Sequence, residues 1–204
     1  MTRYYVRSAL ALIFCSFPHL AAQPLPQPLT QLTAVIFPDG RYSRVAIGEM
    51  GREAAHILKN SGVSLYWHVG QPTQAMNGRL VVVKLVGRCE MDGSPAFLVP
   101  GPLGWSHESD GVVLPFSDLA CDNLRGAVQS ALLAGSQIRG NYLLGRAMGR
   151  VLAHELYHIV ADTAHHGEAG VAQGALTARE LTSGQLELRP SEVQAIQNNL
   201  RQAR

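Results

Sequence analysis

Residues 150–160, RVLAHELYHIV, constrain this chain more than any other stretch. The run is apolar enough to read as a buried helix, yet it carries His154, Glu155 and His158 in an H-E-x-x-H pattern. Residues four apart lie on one helix face, so the two imidazoles can grip one metal ion. Zinc suits the pair, because neutral imidazole nitrogens bind it at roughly 2.0–2.1 Å. Glu155 follows the first histidine and can act on water at such an ion as general base without itself being a ligand. The competing reading is a chance match on a core helix, with both histidines hydrogen-bonded. Two histidines and a glutamate are costly to bury among Leu152, Leu156, Ile159 and Val160 without a partner, which favours the metal.

The 204 residues suffice for one domain with a sizeable core. Arg3 and Arg7 precede an apolar run over residues 8–17, and Ala21 and Ala22 supply small residues for cleavage. We expect residues 1–22 to be a secretory signal peptide, too short and wrongly flanked for a membrane span. A retained anchor is the alternative. Ile13 and Phe14 before Cys15 lack the small residues that lipoprotein processing wants. The two arginines of this segment, taken from seventeen basic residues, leave fifteen against fifteen acidic ones. Such a balance offers no basic field for nucleic acid and no polybasic cluster for acidic lipid. The mature chain is then secreted or periplasmic and free of the membrane, and we expect a monomer. Cys89 and Cys121 remain, a candidate disulfide in an oxidising setting, with two buried free thiols as the alternative.

Residues 23–31 carry Pro24, Pro26 and Pro28 and should form an extended leader before a single domain over 32–204. Residues 32–37 predict a strand closed by Pro38-Asp39-Gly40, and 41–59 a helix ended by Asn60-Ser61-Gly62. Strands are expected over 63–69 and 79–86, the second a continuous apolar run suited to burial on both faces in mid-sheet. Trp67 and His68 read as strand-end packing. Residues 103–107 and 112–116 predict an antiparallel pair, with 103–107 as an edge strand open to an extended partner. Helices follow from Cys121 and from Asn141, a possible cap, to about Ala161. After Gly167 an irregular segment leads to Pro190 and a closing helix, with Val193, Ile196 and Leu200 on one face. The order predicts an α/β (α+β) sandwich with helices packed on one sheet.

A catalytic zinc takes three protein ligands, and the remaining candidates are His165 and His166. Neither reaches the site while the helix continues, since a rise of about 1.5 Å per residue would carry them over 10 Å from His158. The chain must turn back after about Ala161, helped by Asp162, Thr163 and Gly167. His166 is preferred to His165, because Gly167 gives it the freer backbone.

The sequence from His154 to Ala161 with a downstream histidine resembles the metzincin clan of zinc endopeptidases, whose motif is H-E-x-x-H-x-x-G-x-x-H. Gly170 to Gln173, together with residues 188–197, is similar to the matrixin-type ending, where a Met-turn lies beneath the zinc and a closing helix follows. The resemblance implies a divergent, secreted, bacterial-type member. Its fold would be a twisted, mostly parallel sheet with an antiparallel edge strand, a long active-site helix and a C-terminal helix. It also implies one catalytic zinc and a peptide or protein substrate held as an extended strand. Four departures stand out. Ala161 occupies the glycine place, where the chain leaves the helix with positive φ at a steric cost to alanine. Ala164 occupies the third-ligand place, so the histidine arrives late. A helix running slightly further before turning accounts for both. Ala172 occupies the Met-turn methionine's place, and no tyrosine follows the motif as auxiliary donor.

The expected function is zinc-dependent peptide hydrolysis, with His154, His158 and His166 on the metal and Glu155 as general base. The alternative from another class is a secreted, non-catalytic binding module that keeps zinc on the same fold. Ala161 and Ala172 lean towards the module. Glu155 leans towards catalysis, since a structural site has no use for that base.

Overall fold

The computed structural model describes residues 30–97, 99–132 and 137–202. Along them run β1 (Thr30–Pro38), α1 (Arg44–Leu58), β2 (Val63–Val69), β3 (Arg79–Val86), β4 (Gly104–Ser109), β5 (Val112–Ala120), α2 (Cys121–Ala131), α3 (Gln137–Ala161), α4 (Ala178–Thr182) and α5 (Pro190–Gln202). The expected signal peptide and residues 23–29 of the leader lie outside the described residues. β1 begins at Thr30, two residues before the expected start, because Thr30 and Gln31 continue its ladder against Val63 and Ser64.

The strands form one sheet in the order β2-β1-β3-β5-β4. β1 pairs in parallel with β2 and β3, and β3 with β5, while β4 alone runs antiparallel, to β5. A tight turn explains that reversal. Asp110 and Gly111 both take positive φ, 53° and 76°, the paired left-handed residues that suit a two-residue hairpin. This is the mixed α/β architecture expected from the sequence, with β4 at the sheet's edge.

β3 sits in mid-sheet as expected, but it is not buried on both faces. Val81, Val83 and Leu85 are buried, while Leu80 just before them is 48% exposed and Lys84 among them also faces out. The inward set joins Leu32, Ala34 and Ile36 of β1 in a single core with the helices. The outward face, with Tyr66, Leu80 and Phe116 exposed, has no second layer among the described residues. Trp67 packs over Gly51 of α1, in keeping with the packing role expected of it.

α1 is capped by the Ser43 hydroxyl, which accepts from the Ala46 N–H at 3.4 Å. It buries Ala46, Ile47, Met50 and Ala54 against α3 and the sheet. α1 and α3 touch backbone to backbone at Gly145 and Gly149. A Cβ on Gly145 would lie 2.5 Å from Ala46 O, and one on Gly149 2.7 Å from Met50 O. This close approach fixes the roll of α3 and so the direction in which its histidines leave it.

Two expectations for the helices need correction. α3 starts at Gln137, so Asn141 is not its cap. Asn141 instead accepts from Met91 N–H at 2.8 Å and donates to Met91 O at 3.0 Å, pinning the loop after β3. The segment expected to be irregular contains α4, started by a capping box in which Thr177 and Glu180 satisfy one another's backbone N–H groups. Among the described residues no helix is long and apolar enough to cross a membrane.

Cys89 and Cys121 are bridged, with their Cα atoms 5.0 Å apart and both side chains buried. The bond ties the loop after β3 to the first residue of α2 across a separation of 32 residues. Replacing both cysteines with serine should lower unfolding stability by about 2–4 kcal/mol, chiefly by freeing the unfolded chain. Urea unfolding checks this; an unchanged midpoint and slope would show that the bridge constrains nothing.

Candidate metal centre

α3 presents His154, Glu155 and His158 from its last turns, and the acceptors around the two rings settle their tautomers. His154 Nδ1 lies 2.8 Å from Val171 O, and His158 Nδ1 lies 2.7 Å from Thr163 O. A carbonyl only accepts, so each Nδ1 carries the hydrogen and each Nε2 of the neutral ring is a bare lone pair. Those two Nε2 atoms face one another at 3.0 Å. Burial, helped by His158 and His166 nearby, lowers the His154 pKa to about 4, and burial also lowers that of His158. Both rings are therefore neutral at neutral pH. Two lone pairs at this distance repel unless an electron-pair acceptor lies between them, and a metal ion is such an acceptor.

The chain then leaves the helix one residue later than the glycine place of the metzincin motif. Ala161 is the last helical residue, and Asp162 takes the left-handed conformation at φ 49°. Thr163 N–H closes the end on His158 O at 3.1 Å, a Schellman-type bond. Residues 158 and 163 thus hold each other twice, backbone to backbone and ring to backbone. Asp162 tolerates its backbone while its carboxylate accepts from Val113 N–H at 3.0 Å.

This late turn brings His166, not His165, to the other two. Ring nitrogens of His154, His158 and His166 all lie within 4.8 Å of one another. The His166 ring stacks on His154 at 5.2 Å and meets His158 edge-on at 4.8 Å. His165 is exposed, with its backbone N–H on Thr163 Oγ1. The reason lies elsewhere than in a freer glycine backbone. Gly167 is not at positive φ, but a Cβ there would lie 2.4 Å from Glu192 Oε1, so glycine permits close packing on α5. Ala172 is fully buried, and the main chain rather than a side chain supports the rings here. Val171 O accepts from His154, and Ala172 O accepts from Gly167 N–H at 2.8 Å.

Glu155 is buried beside the triad, and burial raises its pKa to about 7 against a hydrogen bond from Ser106. Ser106 Oγ donates to Glu155 Oε2 at 2.8 Å. Both residues line a cavity of about 750 Å³ together with the three histidines, the free edge of β4 and the segment after Gln173. Its walls are mostly apolar, with Val99, Pro102, Leu103, Val151 and Leu176 among them, and among the described residues no lysine or arginine lines it.

The wall after Gln173 is anchored by Arg150, which is buried one turn before His154. Its guanidinium pairs with Glu53 of α1 at 2.8 Å and donates to the carbonyls of Glu180, Ser183 (2.9 Å) and Gly184 (2.7 Å). Sequence reasoning passed over both Ser106 and Arg150. An arginine inside an apolar helical run was a usable signal for the second; nothing in the sequence marks the first.

No protein-family model and no curated protein matches this chain. Among solved structures it is similar to the archaemetzincin of Methanopyrus kandleri, with a TM-score of 0.50 over 88% of this chain and 99% of that one, at 13% sequence identity. At that identity the likeness shows the fold. The chain has an archaemetzincin-like fold, which agrees with the metzincin-like architecture implied by its motif.

Arg150→Ala should remove three backbone anchors and leave Glu53 without its charge partner. A loss of about 3 kcal/mol or more in unfolding free energy is expected from denaturant titration. A loss under about 1 kcal/mol would mean that the segment after Gln173 holds itself.

Proposed function

We propose that this chain is a secreted, zinc-dependent peptidase, a divergent relative of the matrixin type, that hydrolyses peptide bonds in extended substrates. The observation that carries the reading is the pair of bare Nε2 atoms 3.0 Å apart, with His166 beside them and a buried carboxylate in the same groove. Three imidazoles fit zinc in a catalytic setting, which uses three protein ligands and keeps one position open. His154, His158 and His166 would hold the ion, which supplies a Lewis acid for water and for the scissile carbonyl.

The remaining chemistry belongs to the chain. Glu155 takes the proton of the attacking water on its carboxylate and passes it to the departing amine. A carboxyl pushed up to about 7 suits both halves of that exchange at neutral pH. β4 ends the sheet, so the backbone groups of its outer edge are open to an extended peptide as a further strand. The apolar walls accept uncharged side chains. The signal-like amino terminus and the Cys89–Cys121 bridge support an exported, oxidising location. Neither nucleic acid nor membrane is a partner in this reading, and the working unit is a monomer.

Purified residues 23–204 should carry about one zinc per chain, lost in His154→Ala and in His158→Ala. Elemental analysis finding no metal under chelator-free conditions would sink the reading. Glu155→Gln should keep the zinc, yet peptide hydrolysis should fall by about 10²-fold or more, the scale of a lost general base. A zinc-loaded wild type that cleaves nothing in a broad peptide library points instead to the non-catalytic binding module. Equal cleavage by Glu155→Gln would refute the assigned role of that residue.

A further inference from the structure

β4 does more at this site than end the sheet. Gly104 and Ser106 are two apart on the strand, so both face α3. A Cβ on Gly104 would lie 2.7 Å from Val151 Cγ1 and 3.0 Å from Glu155 Oε1, so the strand lies directly against the helix there. Ser106 Oγ sits 2.8 Å from Glu155 Oε2 and 3.2 Å from Glu155 O. The hydroxyl has one hydrogen, and the shorter contact to the stronger acceptor directs it to the carboxylate. Oε2 then takes the hydroxyl's one hydrogen, while Oε1 lies beside Gly104.

The strand is fixed at this point and irregular just beyond it. Gly104, Trp105 and Ser106 stay in register with Leu119, Asp118 and Ser117, and the register shifts between Ser106 and Glu108. Pro115 on β5, which has no N–H to give, lies opposite that shift. Trp105 O also accepts from Ser117 Oγ at 3.3 Å. His107, pointing to the other face, pairs with Asp118. Ser106 is thus the last residue before the shift on the strand whose outer edge would hold substrate.

We propose that Ser106 is a positioning residue for the general base. Its hydroxyl fixes the rotation of the Glu155 carboxylate and ties that carboxylate to the strand that aligns the substrate backbone. The inference rests on the peptidase reading, since it assigns Glu155 a base whose direction matters. Base and substrate then share one frame, so a peptide paired with β4 arrives in a set relation to Glu155. A freely turning carboxylate would spend much of its time misdirected while binding peptide equally well. Loss of the hydroxyl should therefore fall on kcat and leave KM in place.

The test is Ser106→Ala in the mature, zinc-loaded protein, beside wild type, Ser106→Thr and Glu155→Gln. Peptide hydrolysis by Ser106→Ala should lose about 10-fold or more in kcat, the scale of one hydrogen bond to a charged group, with KM and zinc content unchanged. Ser106→Thr, which keeps a hydroxyl on the strand, should recover most of the rate. A second readout needs no turnover. Infrared spectra of protein with 13C-labelled glutamate, taken as differences from Glu155→Gln, isolate the Glu155 carboxylate band. That band should move in Ser106→Ala and return in Ser106→Thr, with or without zinc. An unmoved band, or an unchanged kcat beside an inactive Glu155→Gln, overturns the role of Ser106 and leaves the peptidase reading standing. A loss confined to KM or to stability also overturns it. If the zinc-loaded wild type cleaves no peptide, the peptidase reading and this role fall together.

Discussion

Burying the end of α3 takes Arg150, Glu155 and His158 out of bulk water, and each is held by a group from elsewhere in the chain. Arg150 meets Glu53 and three carbonyls, His154 meets Val171, Glu155 meets Ser106 and His158 meets Thr163. An unpaired polar group here would cost as much as a good share of the net stability of a domain this size. The partners come from α1, β4 and the two segments that follow the helix. The folded arrangement of those four pieces is therefore imposed by the polar side chains of one helix as well as by its apolar face. The two Nε2 atoms are the exception, since no donor among the described residues answers them.

That exception gives the site its chemistry. The bonds that hold Nδ1 to backbone carbonyls fix the tautomer and orientation of both rings, the usual outer support of a metal-ligating histidine. They do so through the main chain at Val171 and Thr163, and the small side chain of Ala172 beside Val171 is simply buried. The same logic applies at the helix end. Asp162 leaves the helix where a glycine would do so more easily, and its carboxylate gains a bond to β5. The turn and the sheet edge are thereby joined, and His166 arrives late but in reach.

Much of this was legible in the residues. The spacing of His154 and His158, the apolar period of α3 and the Asp-Gly turn between β4 and β5 each act locally, so sequence carries them. The late exit from the helix could be read from Ala161 and Ala164 for the same reason. Other features depend on what packs against what. The run in β3 is equally apolar whether one face or two are covered, and only what packs on each face decides it, which among the described residues is a layer on one side alone. The capping box of Thr177 and Glu180 was written in the sequence and passed over, because a single turn leaves no apolar period behind it. His166 was favoured for a backbone freedom that Gly167 does not use; the glycine instead makes room for Glu192. Ser106 carries no pattern at all, since its importance comes from a helix 49 residues away.

The central claim is that the three imidazoles form one zinc site at the foot of the groove. Anomalous diffraction at the zinc edge, on crystals of metal-loaded wild type, tests it most directly. One peak within about 2.0–2.1 Å of Nε2 of His154, Nε2 of His158 and a ring nitrogen of His166 is the predicted result. A peak held by His165 in place of His166, or no peak between the two Nε2 atoms in a protein that contains zinc, would contradict the account.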